Sequence, residues 1–138
     1  MADISQYDHA AALVDVLETT GVPVGDGETP WNGPQKRYVA PSIVLHMVPG
    51  GTVDGTLGCP DEIVDGRFKV KAIGRSAGEA RNVADKAAVA LSAGLTVTGR
   101  RIRRLRPLDA WSGIERDDDV TPPLFYATRT YGLYSFPT

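Results

Sequence analysis

The chain has 138 residues and a mass of 14.8 kDa, a size that one hydrophobic core can support, so we expect a single domain over residues 1–138. Its composition, with 42% hydrophobic and 23% charged residues, is that of a folded protein rather than a disordered chain. A net charge of -2 argues against a dedicated nucleic-acid binder, which normally carries an excess of basic residues.

The single cysteine, Cys59, excludes a disulfide inside the chain and a zinc site made of thiolates. No run approaches the roughly 18 apolar residues that a membrane span requires. Residues 1–7 lack the basic and apolar stretches of a secretory signal. We therefore expect a protein that is made and used in a cytoplasm and that meets no membrane.

The first predicted element is an amphipathic helix over residues 6–20. Ser5 is a favourable N-cap, apolar side chains recur at helical spacing, and Gly21 ends the pattern. His9 flanks the apolar stripe, so we expect its side chain at the surface. Residues 25–34 combine Gly, Asp, Asn and Pro, which is the chemistry of turns and predicts a loop.

Two paired strands are predicted next, at residues 38–48, with a regular alternation from Ser42 onward, and at residues 67–73. In the first, Ile43, Leu45 and Met47 share one face. In the second, the apolar side chains Phe68, Val70 and Ala72 alternate with the basic side chains Arg67, Lys69 and Lys71. This alternation is typical of a sheet with one buried and one solvated face. Residues 49–60 contain four glycines and predict an exposed loop between the two strands.

A second helix is predicted after the capping box that Ser76 and Glu79 form in the pattern S-x-x-E. Its apolar stripe is rich in alanine, and Gly94 ends it. The stripe consists of Ala80, Val83, Ala84, Ala87, Ala88 and Leu91. Small side chains let a helix approach a sheet closely, so we expect this stripe to pack on the apolar face of the strand at 67–73.

The last third of the chain predicts a strand at residues 96–105, a long loop at 107–123 and a closing strand at 124–136. Gly132 marks a predicted bulge in the closing strand. The order of helix, strands, helix and strands predicts an α+β fold. We expect a mainly antiparallel β-sheet with two helices packed on one face.

No catalytic, metal-binding or cofactor-binding motif is apparent in the sequence. Only His9 and His46 offer imidazoles, and His46 alternates with valines as a residue on a sheet face does. No glycine pattern of a phosphate-binding loop occurs. Cys59 has no cationic neighbour that would activate its thiol. We therefore expect no cofactor, no metal ion and no enzymatic activity.

The most distinctive feature is a cluster of five arginines within seven residues: Arg100, Arg101, Arg103, Arg104 and Arg106. These charges repel one another unless acidic groups or phosphates lie close to them. Three interpretations stay open. Glu115 and Asp117, Asp118 and Asp119 neutralise the cluster within one chain, or the aspartates of a second copy do so, as in closed rings. In the third, the arginines contact a nucleic-acid backbone, which the acidic pI and the lack of interleaved aromatic residues disfavour.

Four segments together resemble the tail terminator family of long-tailed bacteriophages. They are the strand YVAPSIVLHMV, the basic-alternating strand GRFKVKAIG, the helix SAGEARNVADKAAVALSA and the aromatic strand PLFYATRTYGLYSF. The resemblance extends over residues 5–136 and is most telling over residues 67–93. It implies a single tail-terminator-like α+β domain and a structural role in the virion.

The resemblance implies that six copies form a ring on the last disc of the tail tube. Such a ring ends tube growth and offers a surface for the filled head, at the head-proximal end of a tail assembled in the host cytoplasm. The implied partners are further copies of the chain, the tail tube protein and the head-tail connector protein. Genomic DNA would cross the ring without specific binding. A neck or head-completion adaptor is the alternative, and a small nucleic-acid-binding module is a more distant one.

The family has no catalytic residues to carry over, so the site residues are assigned on physical grounds. We expect the subunit interface to be formed by Arg100, Arg101, Arg103, Arg104 and Arg106 with Asp117, Asp118 and Asp119. The loops at residues 25–34 and 49–60, which include Trp31 and Asp54, are expected to order against the tube or the connector. Trp31 and Trp111 either pack down as local anchors or stay exposed as interface hot spots.

Overall fold

The computed structural model describes residues 6–47, 52–53 and 63–137. The element bounds in chain order are α1 Gln6–Glu18, β1 Val24–Asp26, β2 Trp31–Asn32, β3 Arg37–Tyr38, β4 Ser42–Met47, β5 Thr52–Val53, β6 Ile63–Gly74, α2 Ala77–Ser92, β7 Arg100–Ile102, β8 Arg106–Pro107, β9 Glu115–Asp117 and β10 Leu124–Pro137. Eight of the described strands form one sheet, and β2 with β3 forms a separate hairpin.

The sheet is built around two long strands, β6 and β10, which pair antiparallel in one continuous register from Phe125 opposite Gly74 to Ser135 opposite Val64. β4 pairs antiparallel along the other side of β6. β7, β8 and β9 pair with successive parts of the far side of β10. β1 pairs parallel to β4. The predicted α+β fold with a mainly antiparallel sheet is confirmed.

Both helices pack on the same face of the sheet and enclose the main core with it. Phe68 is fully buried there and stacks on Tyr131, with ring centroids 5.3 Å apart and planes inclined by 8°. The helices contribute Ala10, Leu13 and Leu17 from α1, and Val83, Ala84, Ala87 and Leu91 from α2. The predicted contact between the alanine-rich stripe and the apolar face of β6 is confirmed.

The start of α2 is fixed by its cap. The Ser76 side chain accepts a hydrogen bond from the backbone N–H of Glu79 at 3.1 Å, as the capping box predicts. The Glu79 carboxylate accepts from the backbone N–H of Arg75 at 2.8 Å. Gly74 lies where this turn meets β6, and a Cβ there would approach the backbone N of Ala80 to 2.5 Å. This glycine therefore permits the close approach of helix and sheet.

Within the described part of the chain, the opposite side of the sheet is covered at one end. There Ala40, Val44, Ile73 and Leu124 form a small second cluster with the partly buried Val120 and Tyr126. Neither described helix lies over the rest of this side, and we call it the open face. Because register is continuous, it carries every second residue of β6, including Arg67, Lys69 and Lys71.

The structure corrects the predictions for the short strands. The predicted loop at 25–34 contains the end of β1 and all of β2, and the predicted loop at 107–123 contains β9. The predicted strand at 96–105 shrinks to β7, because Gly99 has a positive φ of 75° just before it. Apart from β5, the predicted loop at 49–60 lies outside the described residues, as does Cys59.

The prediction that His9 lies at the surface is wrong. Its side chain is 1% exposed, and its Nε2 lies 2.9 Å from the Oγ of the buried Ser135. The imidazole therefore satisfies a polar group under α1 instead of extending into solvent. A buried polar pair is not visible in helical periodicity, since the partner lies on β10 at the other end of the chain.

The predicted bulge at Gly132 is also wrong, because Gly132 keeps regular register with Arg67. A Cβ on Gly132 would lie 3.3 Å from Cδ2 of Leu108, so the glycine leaves room for this side chain. The irregularity lies on the neighbouring strand instead. Arg106 pairs with Gly132, whereas Ile102 pairs with Ser135, which leaves one extra residue in the β7–β8 segment.

Candidate interaction surfaces

The five arginines lie along the edge formed by β7 and β8, which we call the arginine edge. The extra residue between these strands turns Leu105 into the core, where it is 4% exposed. Arg103 and Arg104 then both remain exposed. The backbone N–H of Arg103 donates to the carbonyl of Tyr134 at 3.0 Å, which holds the irregular segment against β10.

Arg100 differs from the other members of the arginine edge because it is partly buried. Its Nε donates to the Ser135 Oγ and its guanidinium NH2 donates to the Ser135 carbonyl, each at 2.9 Å. The same Oγ contacts His9. Arg100 therefore ties β7 to β10 and α1. The predicted interface residues Arg101, Arg103, Arg104 and Arg106 remain exposed.

The three aspartates Asp117, Asp118 and Asp119 span the last residue of β9 and the turn that follows it, and we call them the acidic turn. The Asp117 carboxylate accepts the backbone N–H of Asp119 at 3.0 Å. Asp118 pairs with Nε of Arg116 at 2.6 Å, and both side chains are more than half exposed, so this pair contributes little to stability. Arg116 therefore neutralises part of the negative charge of the acidic turn.

The arginine edge and the acidic turn lie at opposite ends of β10. β9 pairs with the strand at Leu124 to Tyr126, whereas β7 pairs at Ser135 to Pro137. At about 3.3 Å per residue, Tyr126 and Ser135 are about 30 Å apart along the strand. Arg106, at the near end of the edge, pairs with Gly132, about 20 Å from Tyr126. Both separations exceed two Debye lengths at physiological salt, so Glu115 and the aspartates of the same chain do not reach the arginine edge as direct ion-pair partners.

Cations and aromatic rings alternate across the strands of the open face. Lys71 Nζ lies 4.2 Å from the Tyr126 ring centroid, and the Arg103 guanidinium lies 4.7 Å from that of Tyr134. Arg101 lies 6.0 Å from the Phe136 ring centroid. These are distances at which a ring quadrupole attracts a cation. The aromatic interleaving that is missing along the sequence is therefore present across strands.

The pKa of His46 reflects both its burial and the positive charge of the open face. His46 pairs with Lys69 across β4 and β6. Burial and the nearby ammonium groups of Lys71 and Lys69 lower the pKa of His46 from its ordinary value. The expected position of His46 on a sheet face is confirmed.

A cavity of about 800 Å³ forms a groove between the β2–β3 hairpin and the covered end of the sheet. We call it the aromatic groove. Three aromatic side chains line it, Trp31, Tyr38 and Tyr126, together with the acidic residues Asp26, Glu28 and Asp117 and with Lys71. Hydrogen bonding to the Glu115 carboxylate raises the pKa of the Tyr126 phenol. The sequence did not indicate this groove, because its walls come from separate parts of the chain.

The two tryptophans have different environments. Trp31 is 54% exposed, and its ring meets that of Tyr38 edge-on at 4.9 Å. Trp111 is partly buried against the main core, with the Arg129 guanidinium 5.9 Å from its ring centroid. Trp111 is thus a local anchor, and Trp31 is the exposed one of the two. Asp54, the remaining expected contact residue, lies outside the described residues.

Within residues 6–47, 52–53 and 63–137, no helix is long and apolar enough to cross a membrane. In the same part of the chain, no three acidic, histidine or cysteine side chains group as metal ligands would.

No family model and no curated protein matches this chain. It is similar to a solved chain from the virion of a native gene transfer agent particle. The two are 15% identical with a TM-score of 0.63, over 97% of this chain and 98% of that one. The two chains share a fold. A second solved protein, whose name describes no function, is 17% identical with a TM-score of 0.57, over 98% of this chain and 99% of that one.

Proposed function

We propose that the protein is a structural component of a phage-type virion with no catalytic role. The observation that carries this proposal is the shared fold with a virion chain over nearly the full length of both chains. A binding surface without a reaction centre also agrees with the groove, whose aromatic and carboxylate side chains suit contacts better than bond-making.

More specifically, the chain forms a ring, of six copies in the simplest case, that caps the tail tube. The ring ends tube polymerisation and offers the surface to which the filled head joins. Its partners are further copies of itself, the tail tube protein and the head-tail connector protein. The genome crosses the ring without specific binding. The sequence resemblance to tail terminators supports this role.

The ring contact joins the arginine edge of one copy to the acidic end of the next. Arg101, Arg103, Arg104 and Arg106 are exposed. Their positions along β10 lie about 20–33 Å from Tyr126, where β9 leads into the acidic turn at Asp117, Asp118 and Asp119. Two different patches at opposite ends make a heterologous contact, which closes into a ring when the rotation between copies allows it. Arg100 supports the edge from beneath.

Reversing Asp117, Asp118 and Asp119 to Lys is expected to block assembly and to leave the monomer folded. Exposed charges contribute little to the free energy of unfolding, whereas like charges facing each other across an interface oppose association. Sedimentation velocity measures assembly, and circular dichroism measures folding. Loss of folding in this variant would contradict the assignment of the acidic turn to a contact between copies.

Removal of the gene from the phage or particle that encodes it tests the role itself. Electron microscopy of the lysate is expected to show overlong tubes detached from heads. Tails of normal length beside unattached heads would favour the alternative, a neck or head-completion adaptor. Unaltered particles would contradict both.

A small nucleic-acid-binding module is the second candidate function, and the cations and rings of the open face favour it. A binder would retard DNA in a gel and lose affinity steeply as salt rises. The ring protein is expected to show no retardation at physiological salt.

A further inference from the structure

We infer that the aromatic groove is the socket that receives arginine side chains from the arginine edge of a second copy. The inference rests on the proposed self-assembly and identifies the acceptor within it. The acidic turn contributes Asp117 to this socket, and the other acceptor groups come from β1, the hairpin and β10.

The exposure of the hairpin rings is the first argument. Trp31 and Tyr38 are 54% and 40% exposed, and they are two of four large hydrophobic side chains so exposed among the described residues. Both sit on one short hairpin and both line the groove. Exposed tryptophan and tyrosine around a hollow are the composition of an interface hot spot. A partner that fills the groove would remove this surface from water.

The charge of the groove is the second argument. Asp26, Glu28 and Asp117 line it, against one cation, Lys71. The ammonium of Lys71 is placed over the Tyr126 ring at 4.2 Å. Carboxylates beside aromatic faces match a guanidinium, which stacks on a ring and donates paired hydrogen bonds to a carboxylate. The groove therefore selects a cationic partner.

The acidic turn alone is a poorer acceptor than the groove. Asp118 already pairs with Arg116, and Asp117 accepts the backbone N–H of Asp119. The carboxylates of Asp26 and Glu28 are exposed at the groove. An incoming arginine would meet these two carboxylates together with Trp31.

The cations that fit this socket are on the same chain. Arg101, Arg104 and Arg106 are exposed on the arginine edge, about 20–33 Å along β10 from Tyr126 of the groove. A chain cannot fold this edge into its own groove, because β10 is one continuous strand between them. A second copy supplies the edge in the head-to-tail arrangement that the ring requires.

Three double variants whose net charges change by the same amount test the socket. The groove variant is Asp26→Lys with Glu28→Lys, the edge variant, with the opposite sign, is Arg101→Glu with Arg104→Glu, and the control on the two helices is Asp15→Lys with Asp85→Lys. All six positions are exposed, so circular dichroism should show all three variants folded. Sedimentation velocity over a concentration series then measures self-association.

The groove variant and the edge variant are each expected to associate at least about tenfold more weakly than the wild type, whereas the control stays within a few-fold of it. A mixture of groove and edge variants should associate again. In an alternating assembly, each reversed groove meets a reversed edge, and each native groove meets a native edge. Recovery on mixing is a result that a nonspecific charge effect does not produce.

Trp31→Ala is the second test, and it is expected to weaken association without a change in net charge. Trp111→Ala is its tryptophan control for association, because that ring packs against the core of its own chain.

The contrary results distinguish a failure of the socket from a failure of the proposed function. If the variant with Asp117, Asp118 and Asp119 reversed fails to associate and the groove variant associates normally, the acceptor is the acidic turn; the socket is then wrong and the ring contact stands. If the wild type stays monomeric while gene removal still gives overlong tubes, the groove receives another virion protein and the inference falls. If gene removal leaves particles unaltered, the proposed function fails, whatever the variants do.

Discussion

The two faces of the sheet differ in burial and in the side chains that they carry. The helix-covered face holds the large buried side chains, such as Phe68 and Leu45, and its polar groups are few and satisfied, as His9 is by Ser135. The open face carries lysines and arginines between tyrosines, and its one small cluster lies beside the aromatic groove. The covered face supplies most of the buried apolar contacts of the fold, and the open face with its two ends carries the surfaces that we propose for partners.

The sharpest test of this division is Phe68→Ala on the covered face. Removing a fully buried ring that stacks on Tyr131 is expected to lower the free energy of unfolding by about 3–5 kcal/mol. Urea denaturation followed by circular dichroism measures the change. Arg67→Ala, one residue away on the open face, should stay within about 0.5 kcal/mol of the wild type. Equal losses at both positions would contradict the division.

Two glycines near the start of α2, Gly74 and Gly78, test how closely the helix approaches the sheet. In Gly74→Ala the new methyl would lie 2.5 Å from the backbone N of Ala80, and we expect a loss of about 1–3 kcal/mol. At Gly78, also near the helix start, a Cβ would point into open space. Gly78→Ala should therefore be neutral or raise stability by up to about 1 kcal/mol. Thermal melts should show a lower melting temperature for Gly74→Ala and an equal or higher one for Gly78→Ala, and an equal fall in both would contradict the close approach at Gly74.

The smallest expected effect is a pH dependence on the open face. Burial, with Lys71 and Lys69, lowers the pKa of His46, so the unfolded chain binds this proton more tightly than the folded chain. Stability from this group is therefore present above the ordinary histidine pKa of about 6.5 and is lost as the pH falls through that value. Between pH 8 and pH 5.5, His46→Gln should lose less stability than the wild type. An identical loss of stability in the wild type and in His46→Gln would show that His46 does not contribute to the pH dependence.

The parts of the fold that could be predicted are those where local pattern and tertiary contact agree. The alternation around Phe68 and the capping box at Ser76 each specify an element before any partner is known. β2, β8 and β9 have two or three residues each, too few for an alternation to show. They exist because a neighbouring strand offers hydrogen bonds, and that neighbour is distant in sequence.

The candidate surfaces could be predicted only in part, for a similar reason. The arginine cluster is visible because its members are consecutive, and their exposure follows from one extra residue between β7 and β8. The aromatic groove joins Trp31 from the hairpin to Asp117 and Tyr126 from the other end of the chain. The pairing of Arg103 with Tyr134 likewise depends on strand register. Folding brings the residues of such sites together from distant parts of the chain, so no short stretch of the sequence contains a whole site.

The separation of the arginine edge and the aromatic groove along β10 has a consequence for the size of the assembly that we propose. Copies that joined through this contact would leave one unused edge and one unused groove until the ring closed. The stopping point is then set by curvature, since only a suitable angle between successive copies brings the last groove to the first edge. Charge variants should therefore change the affinity between copies, whereas changes to the twist of β10 should change the number of copies in the ring.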